Sequence, residues 1–485
     1  MRHVLPALAT LALGAACGNS TTSQASPASP ATPATPPTPA FGSRGPWPVE
    51  NAVYGNAQGI LEAPVVGVTT DEAQNRWVAT RDALYLLRPG DTRFHRFDEG
   101  DGLHLGGNAV RYCDNHPIGA SDPCRGDLST GVGLAITKIA GGSPGEVFVG
   151  YLGIDGDGTI RCPDKSNPAI LGWGDYCDPN RHSGKLDRVR LRTDGSIAVD
   201  RMDLVANRQG AEFWHDRTVQ SFVYDHFAHP HTLYVGTSHG VTILFPDRFR
   251  MPRPDEWFDL AYVEWMGDHL HARVCDPGPC PTDSEGPQRM GDWAGVDVDA
   301  KGDLWHAGRW TAGLITWVSD PGEWFGRNGA AYALAFGDPY PQAPNDEGFM
   351  DEPVFKVAAE GNSVHLTGVA VCPDGRVWFS SSGPDSGTSD TVAVWKGRSF
   401  DTFAATRLGL GEAAVRDIAC LPDGRVVLAG THSGVVLYDP RTGASKRVPG
   451  LPSGTILDVE VDRMIDPPAL HVATDAGAAV LRVLP

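Results

Sequence analysis

A short apolar run ending on a small or hydroxyl-bearing residue recurs along the chain. It reads RWVAT from Arg76, VFVGY from Val147, LYVGT from Leu233, LWHAG from Leu304, VWFSS from Val377, VLAGT from Val427 and LHVAT from Leu470. A second apolar run precedes most copies: VVGVTTD, GLAITKI, QSFVYD, WAGVDVD, LTGVAVC, VRDIAC and ILDVEVD. Polar turns such as AKGD from Ala300, and PDGR from Pro373 and Pro422, join the two. A third run often follows, opening on a small residue: DALYLL, HGVTILF, AGLITWV, TVAVWK, SGVVLYD and AGAAVLRV. Gly or Pro interrupts every stretch long enough to carry i, i+3, i+4 apolar spacing, so the helical reading fails.

Strand, turn, strand, turn, strand at blade-sized intervals predicts an all-β fold, a seven-bladed β-propeller. One blade cannot bury its own faces, and neighbours stacked around an axis do it for one another. The last copy has a third strand and no fourth before Pro485. The segment WPVENAVYGN, Trp47 to Asn56, precedes the first copy and is positioned to supply it, which would close the ring and remove an exposed edge.

The phrases GRVWFSSS, LYVGTSHGVTIL and GRVVLAGTHSGVVLYDPRTG resemble the two-component-regulator propeller repeat. The resemblance runs weakly over all seven copies from about Pro64 and is best in those containing Leu233, Val377 and Val427. It implies a sensor propeller, usually periplasmic, with no chemistry of its own. No transmembrane helix or kinase follows the repeats, so the resemblance implies a free-standing lipoprotein form.

Residues 41–485 exceed what seven compact blades need. The excess falls in His104–Ser129, Leu152–Gly184, Arg250–Met290 and Ser319–Val364. The first, third and fourth are expected between blades and the second after a blade's second strand. Connections of both kinds emerge on one face of a propeller, so the elaborations are expected to crowd one rim, where loops on a rigid scaffold carry binding. Tolerated surface drift is the alternative.

The first 17 residues read as a secretory signal ending in LGAAC, which resembles a bacterial lipoprotein box with Cys17 as the lipidated residue. Gly14 stands where that box usually has Leu. Residues 18–40 are nearly all Ser, Thr, Pro and Ala and form an extended tether. An exported chain, lipid-anchored to a bacterial membrane on its periplasmic or cell-surface side, is the expectation. An ordinary cleaved signal is its rival. The net charge of −19 opposes nucleic-acid binding and leaves the lipid anchor as the expected membrane attachment.

Eight cysteines remain, an even number that favours disulfides in an exported chain. Cys113 with Cys124, Cys162 with Cys177 and Cys275 with Cys280 lie within the excess stretches, although connectivity stays open. Cys372 and Cys420 stand just before the turn in consecutive blades and are the least expected pair, because equivalent positions in adjacent blades should be far apart. Zinc is the rival reading, the weaker one because no close cysteine pair is matched by a second pair or by paired histidines.

Asp155 and Asp157 in GIDGDGT offer alternate carboxylates to calcium, with a plain Asp/Gly turn the stronger reading; no other cofactor is expected. His226, His229 and His231 are read as turn residues. Trp77, Trp305 and Trp378 are assigned to the core. Trp173, Trp214, His215, His271, Arg273, Arg309 and Trp310, with His306, are candidates for the elaborated rim. The functional expectation is a monomeric binding propeller without catalysis, serving an envelope protein or a small-molecule or glycan ligand. The alternative is a propeller lyase or hydrolase with histidines near the central opening.

Overall fold

The computed structural model describes residues 49–103, 105, 135–152, 186–202, 219–237, 241–248, 266–270, 272–273, 288–289, 293–308, 312–317, 330–336, 366–383, 390–396 and 400–483. Its first strand, β1 (Val49–Tyr54), belongs to the last blade. Blade 1 is β2 (Val65–Thr70), β3 (Arg76–Thr80), β4 (Leu84–Leu87) and β5 (His95–Phe97). Blade 2 is β6 (Ile136–Gly141), β7 (Glu146–Tyr151), β8 (Leu186–Leu191) and β9 (Ile197–Arg201). Blade 3 is β10 (Val219–Asp225), β11 (Thr232–Thr237), β12 (Val241–Leu244) and β13 (Met266–Leu270). A small hairpin, β14 (Ala272–Arg273) with β15 (Gln288–Arg289), precedes blade 4: β16 (Gly295–Val298), β17 (Leu304–Ala307), β18 (Ala312–Trp317) and β19 (Ala330–Phe336). Blade 5 is β20 (Leu366–Val371), β21 (Val377–Ser381), β22 (Val392–Trp395) and β23 (Phe400–Phe403). Blade 6 is β24 (Val415–Cys420), β25 (Val426–Gly430), β26 (Val435–Asp439) and β27 (Ala444–Arg447). Blade 7 is β28 (Ile456–Asp462), β29 (Ala469–Thr474), β30 (Gly477–Val483) and, from the other end of the chain, β1.

Every first strand touches the first strands of the blades on either side, from β2 through β6, β10, β16, β20, β24 and β28 back to β2. That closed circuit makes the molecule a seven-bladed propeller. The ring shuts as the sequence predicts: β1 pairs antiparallel with β30, from Val49 opposite Val483 to Tyr54 opposite Ala478. All seven recurrent phrases are second strands.

The core lies between blades. Trp77, Trp305 and Trp378 sit at related places on β3, β17 and β21, and each is buried in the apolar layer shared with the next blade. Outer strands have little to bury, and every residue of β27 is exposed. The predicted PDGR turns form with Gly375 at φ 82° and Gly424 at φ 84°, the left-handed region open to glycine. Asp374 and Asp423 accept the backbone N–H of the arginine two residues on, which closes each turn.

Two expectations are corrected. The third and fourth excess stretches do not lie wholly between blades, because β13 and β19 fall inside them. Their first parts therefore join third to fourth strands and leave from the opposite end of the blade. The second concerns Cys372 and Cys420, which are disulfide-bonded with Cα atoms 5.3 Å apart. Cys420 ends β24, and Cys372 directly follows β20. First strands line the axis, where neighbouring blades converge, and the two cysteines are offset by one position, Cys420 matching Val371 and Cys372 matching Leu421, which brings them close enough to bridge.

Candidate functional site: a charged axis

The first strands carry a recurrent irregularity. Six of them shift register after their first paired residue: between Val65 and Gly67, Ile136 and Lys138, Val219 and Ser221, Leu366 and Gly368, Val415 and Asp417, and Ile456 and Asp458. Each is a β-bulge, which turns the following side chain relative to a regular ladder. In two blades the extra residue is a threonine that ties the ring. Thr137 donates to the Val219 carbonyl and Thr367 to the Val415 carbonyl of the next blade, each at 2.7 Å.

The residue after the bulge stands at one level around the axis: Gly67, Lys138, Ser221, Gly368, Asp417 and Asp458, with Gly295 at the matching place on β16. Small side chains leave room there for the charged ones. The Lys138 ammonium of blade 2 pairs with Asp458 of blade 7 and stands 4.0 Å from Asp417 of blade 6. A methyl group on Gly67 of blade 1 would lie 3.7 Å from Asp458 Oδ2, so the missing side chain keeps this space open. Asp417 also accepts the N–H of Ile418 (2.8 Å) and, from the next blade, that of Val459 (3.2 Å).

Asp297 of blade 4 repeats that clip further along the axis. It accepts the N–H of Val298 (2.9 Å) and that of Val371 in blade 5 (2.7 Å). Arg463, just past β28, reaches from blade 7 to Asp297 Oδ2 and the Val371 carbonyl, both at 3.4 Å. Two cationic side chains therefore tie the ring from inside, at different levels. Between them Thr69 donates to Glu460 (2.7 Å) and Thr70 donates to Asp462 (2.7 Å), joining blade 1 to blade 7.

Burial governs the protonation of this column. It works against the Lys138 charge, but Asp458 and Asp417 outweigh it and hold the ammonium above the usual lysine pKa. Burial pushes Asp417 up to about 7, with Lys138 opposing and the neighbouring Asp458 adding to the rise. Glu460 is pushed up to about 8 by burial, against the Thr69 hydrogen bond and with help from Asp458 and Asp462. The axis thus offers two carboxyls that exchange protons near neutral pH, beside a lysine already committed to carboxylates.

One described histidine, His471 of β29, is buried where Asp462 and Asp458 act on its charge; the turn histidines and His306 do not join it. His226, His229 and His231 occupy the β10–β11 turn, as the sequence predicts. There His231 Nδ1 lies 3.0 Å from Tyr224 Oη, 3.1 Å from Ser143 Oγ and 3.3 Å from Asp247 Oδ2. Serine, histidine and aspartate meet, yet all share one ring nitrogen. A relay needs base and orienting acid on opposite nitrogens, so this cluster is a clip between blades 2 and 3. His306, expected at the elaborated rim, is instead buried on β17 with its ring edge-on to Trp293 at 4.3 Å.

Of the rim candidates, Arg273 lies on β14, between blades 3 and 4. Trp173, Trp214, His215, His271, Arg309 and Trp310 lie outside the described residues, as do Asp155, Asp157, Cys17, Cys113, Cys124, Cys162, Cys177, Cys275 and Cys280. Among the described residues no group of three metal-ligating side chains gathers. Lys138, Asp417, Asp458 and Glu460 escaped the sequence reading. The available signal was positional: superposing the seven first-strand phrases puts one lysine and two aspartates on one rung.

No protein-family model matches this chain, and no curated protein matches it. Among solved structures, a chain of "Crystal Structure of Mitotic Checkpoint Complex" is similar at a TM-score of 0.46 and 10% identity, over 90% of this chain and 94% of that one.

Proposed function

We propose that this chain is an exported, lipid-anchored propeller, held to a bacterial membrane through Cys17 and binding an envelope protein on its loop-bearing end. The carrying observation is the arrangement of connections on a ring closed by its own ends. Strands alternate in direction, so the β5–β6, β7–β8, β9–β10, β13–β16 and β19–β20 connections all leave from one end. A closed, internally tied ring can hold such segments without changing shape. The buried Cys372–Cys420 disulfide fits an oxidising compartment, and the uncharged tether at 18–40 suits a domain held off a membrane. A propeller of the two-component-regulator type remains part of this reading.

One observation favours a second reading. Asp417 and Glu460, with near-neutral pKa values at the axis, have the protonation range of a general acid or base. On that reading carboxyls, not histidines, would carry a lyase or hydrolase reaction. Chemical cross-linking in intact cells, followed by purification of the anchored chain, separates the two. The binding reading expects one envelope protein cross-linked equally to wild type and to D417N/E460Q, and a mature N-terminus at an acylated Cys17. A glycan or small molecule recovered in place of a protein would change the partner class. An unmodified chain starting elsewhere would end the anchor.

A further inference from the structure

Where the two ends of the chain meet, a cavity of about 530 Å³ opens between blades 1 and 7. It is framed by the β2–β3 and β28–β29 turns, the β4–β5 connection, and residues of β1 and β30. Both turns join first to second strands, so the cavity belongs to the end opposite the loop-bearing one and is independent of the reading above.

Three arginines line it: Arg76, Arg88 and Arg482. Arg88 has a carboxylate partner, the exposed Asp91 at 3.5 Å. Arg76 and Arg482 have no carboxylate at ion-pair distance among the described residues. Tyr54 of the closing strand holds Arg76 in place: Nη1 donates to the phenol oxygen at 2.5 Å, and the guanidinium lies 5.1 Å from the ring centre. Burial disfavours the Arg76 charge, Tyr54 and the nearby Asp462 support it and the like charge of Arg482 opposes it, leaving its pKa below the usual arginine value. Asp462, also at the cavity, is already engaged by the Thr70 hydroxyl (2.7 Å) and the Met464 N–H (2.8 Å).

In a chain of net charge −19, three guanidiniums against two carboxylates, Asp91 and Asp462, give this cavity a local excess of positive charge. Planar guanidinium forks match carboxylate and phosphate oxygens. Leu87, Ile465 and Val480 supply an apolar wall, and the volume lies within the range of small-molecule sites. We propose that this seam cavity binds a small organic anion, with a carboxylate or phosphate head on Arg76 and Arg482 and an apolar body against that wall. Because Tyr54 and Arg482 come from opposite ends of the chain, the site exists only in the closed ring.

The test is calorimetric titration of the full chain with benzoate and with phenyl phosphate, using benzyl alcohol as the uncharged control. Both anions, or one of them, should bind about tenfold or more tighter than the alcohol, and added salt should weaken binding. The preferred head group is the one that binds tighter. R482Q, an exposed change that should leave the unfolding temperature alone, should weaken the anion about tenfold. R76Q should do the same, and a bound anion should raise the unfolding temperature of wild type more than that of either variant. No heat with either anion, equal binding of the alcohol, or wild-type affinity in R482Q would each overturn the proposal.

Discussion

Lys138 of blade 2 is ion-paired with Asp458 of blade 7, past blade 1, whose residue at that level is Gly67. Adjacent blades are already joined by apolar layers and backbone clips. This pair joins blades that are not neighbours, so it resists opening of the ring at the blade 1–blade 7 seam. Removing one partner leaves carboxylates in a confined place without a cation. K138M should lower unfolding free energy by about 2–3 kcal/mol near neutral pH, less than for a wholly buried pair because 20% of the Lys138 side chain stays exposed. K138M/D458N should recover part of that loss. Denaturant unfolding of the two single and the double variants measures the coupling, and additive losses would show the pair to be idle.

Glu460 makes stability depend on pH in a stated direction. Its folded pKa is about 8 against 4.5 for the ordinary group, so between those values the folded chain holds a proton that the unfolded chain has released. Stability is therefore lost as pH rises through this window. E460Q has no such proton. Relative to wild type it should gain stability from about pH 5 to pH 8, by at most about 1.4 kcal/mol per pH unit. Parallel wild-type and E460Q profiles would contradict the assignment.

His306 acts in the opposite sense. Burial holds its pKa down to about 3, so the unfolded chain binds a proton there from the ordinary value of 6.5 downwards. Stability should fall as pH drops through that range. Neither ring nitrogen has a hydrogen-bond partner among the described residues, and a leucine would leave no described partner unsatisfied. H306L should lie within about 1 kcal/mol of wild type at neutral pH and lose less stability on acidification. Urea midpoints across the acid range measure both, and unchanged acid sensitivity would place the responsible group elsewhere.

The Cys372–Cys420 bridge spans 48 residues of sequence and ties the first strands of blades 5 and 6. Loop-closure entropy assigns such a bridge on the order of 4 kcal/mol. C372S/C420S should lose most of that, and reductant should destabilise wild type but not the variant. Equal stability of wild type with and without reductant would mean that the bridge constrains little.

These ties also mark where sequence reading succeeds and stops. The β2–β3 and β20–β21 phrases were legible because alternating apolar positions and turn residues are local properties. β1 could be placed because blade 7 visibly lacked an outer strand. β13 and β19 were not legible as fourth strands because each lies inside a long stretch with no repeat phrase or turn to tie it to its blade; the apolar run AAYALAF of β19 marks a strand without saying which sheet it joins. The Cys372–Cys420 bridge was undervalued because spacing along the chain says nothing about distance from the axis. Lys138 and Asp458 stand 320 residues apart, and no local pattern distinguishes either from a solvent-facing charge on a strand.

The central claim is that a preformed ring carries the binding segments as separable additions. Its most direct test replaces residues 153–185 of the β7–β8 connection with a short glycine-containing turn, then measures thermal unfolding of the ring and cross-linking to the proposed envelope partner. An unfolding temperature near that of wild type with loss of the cross-linked partner is the predicted result. A ring that no longer folds, or a partner captured as well as before, would contradict it.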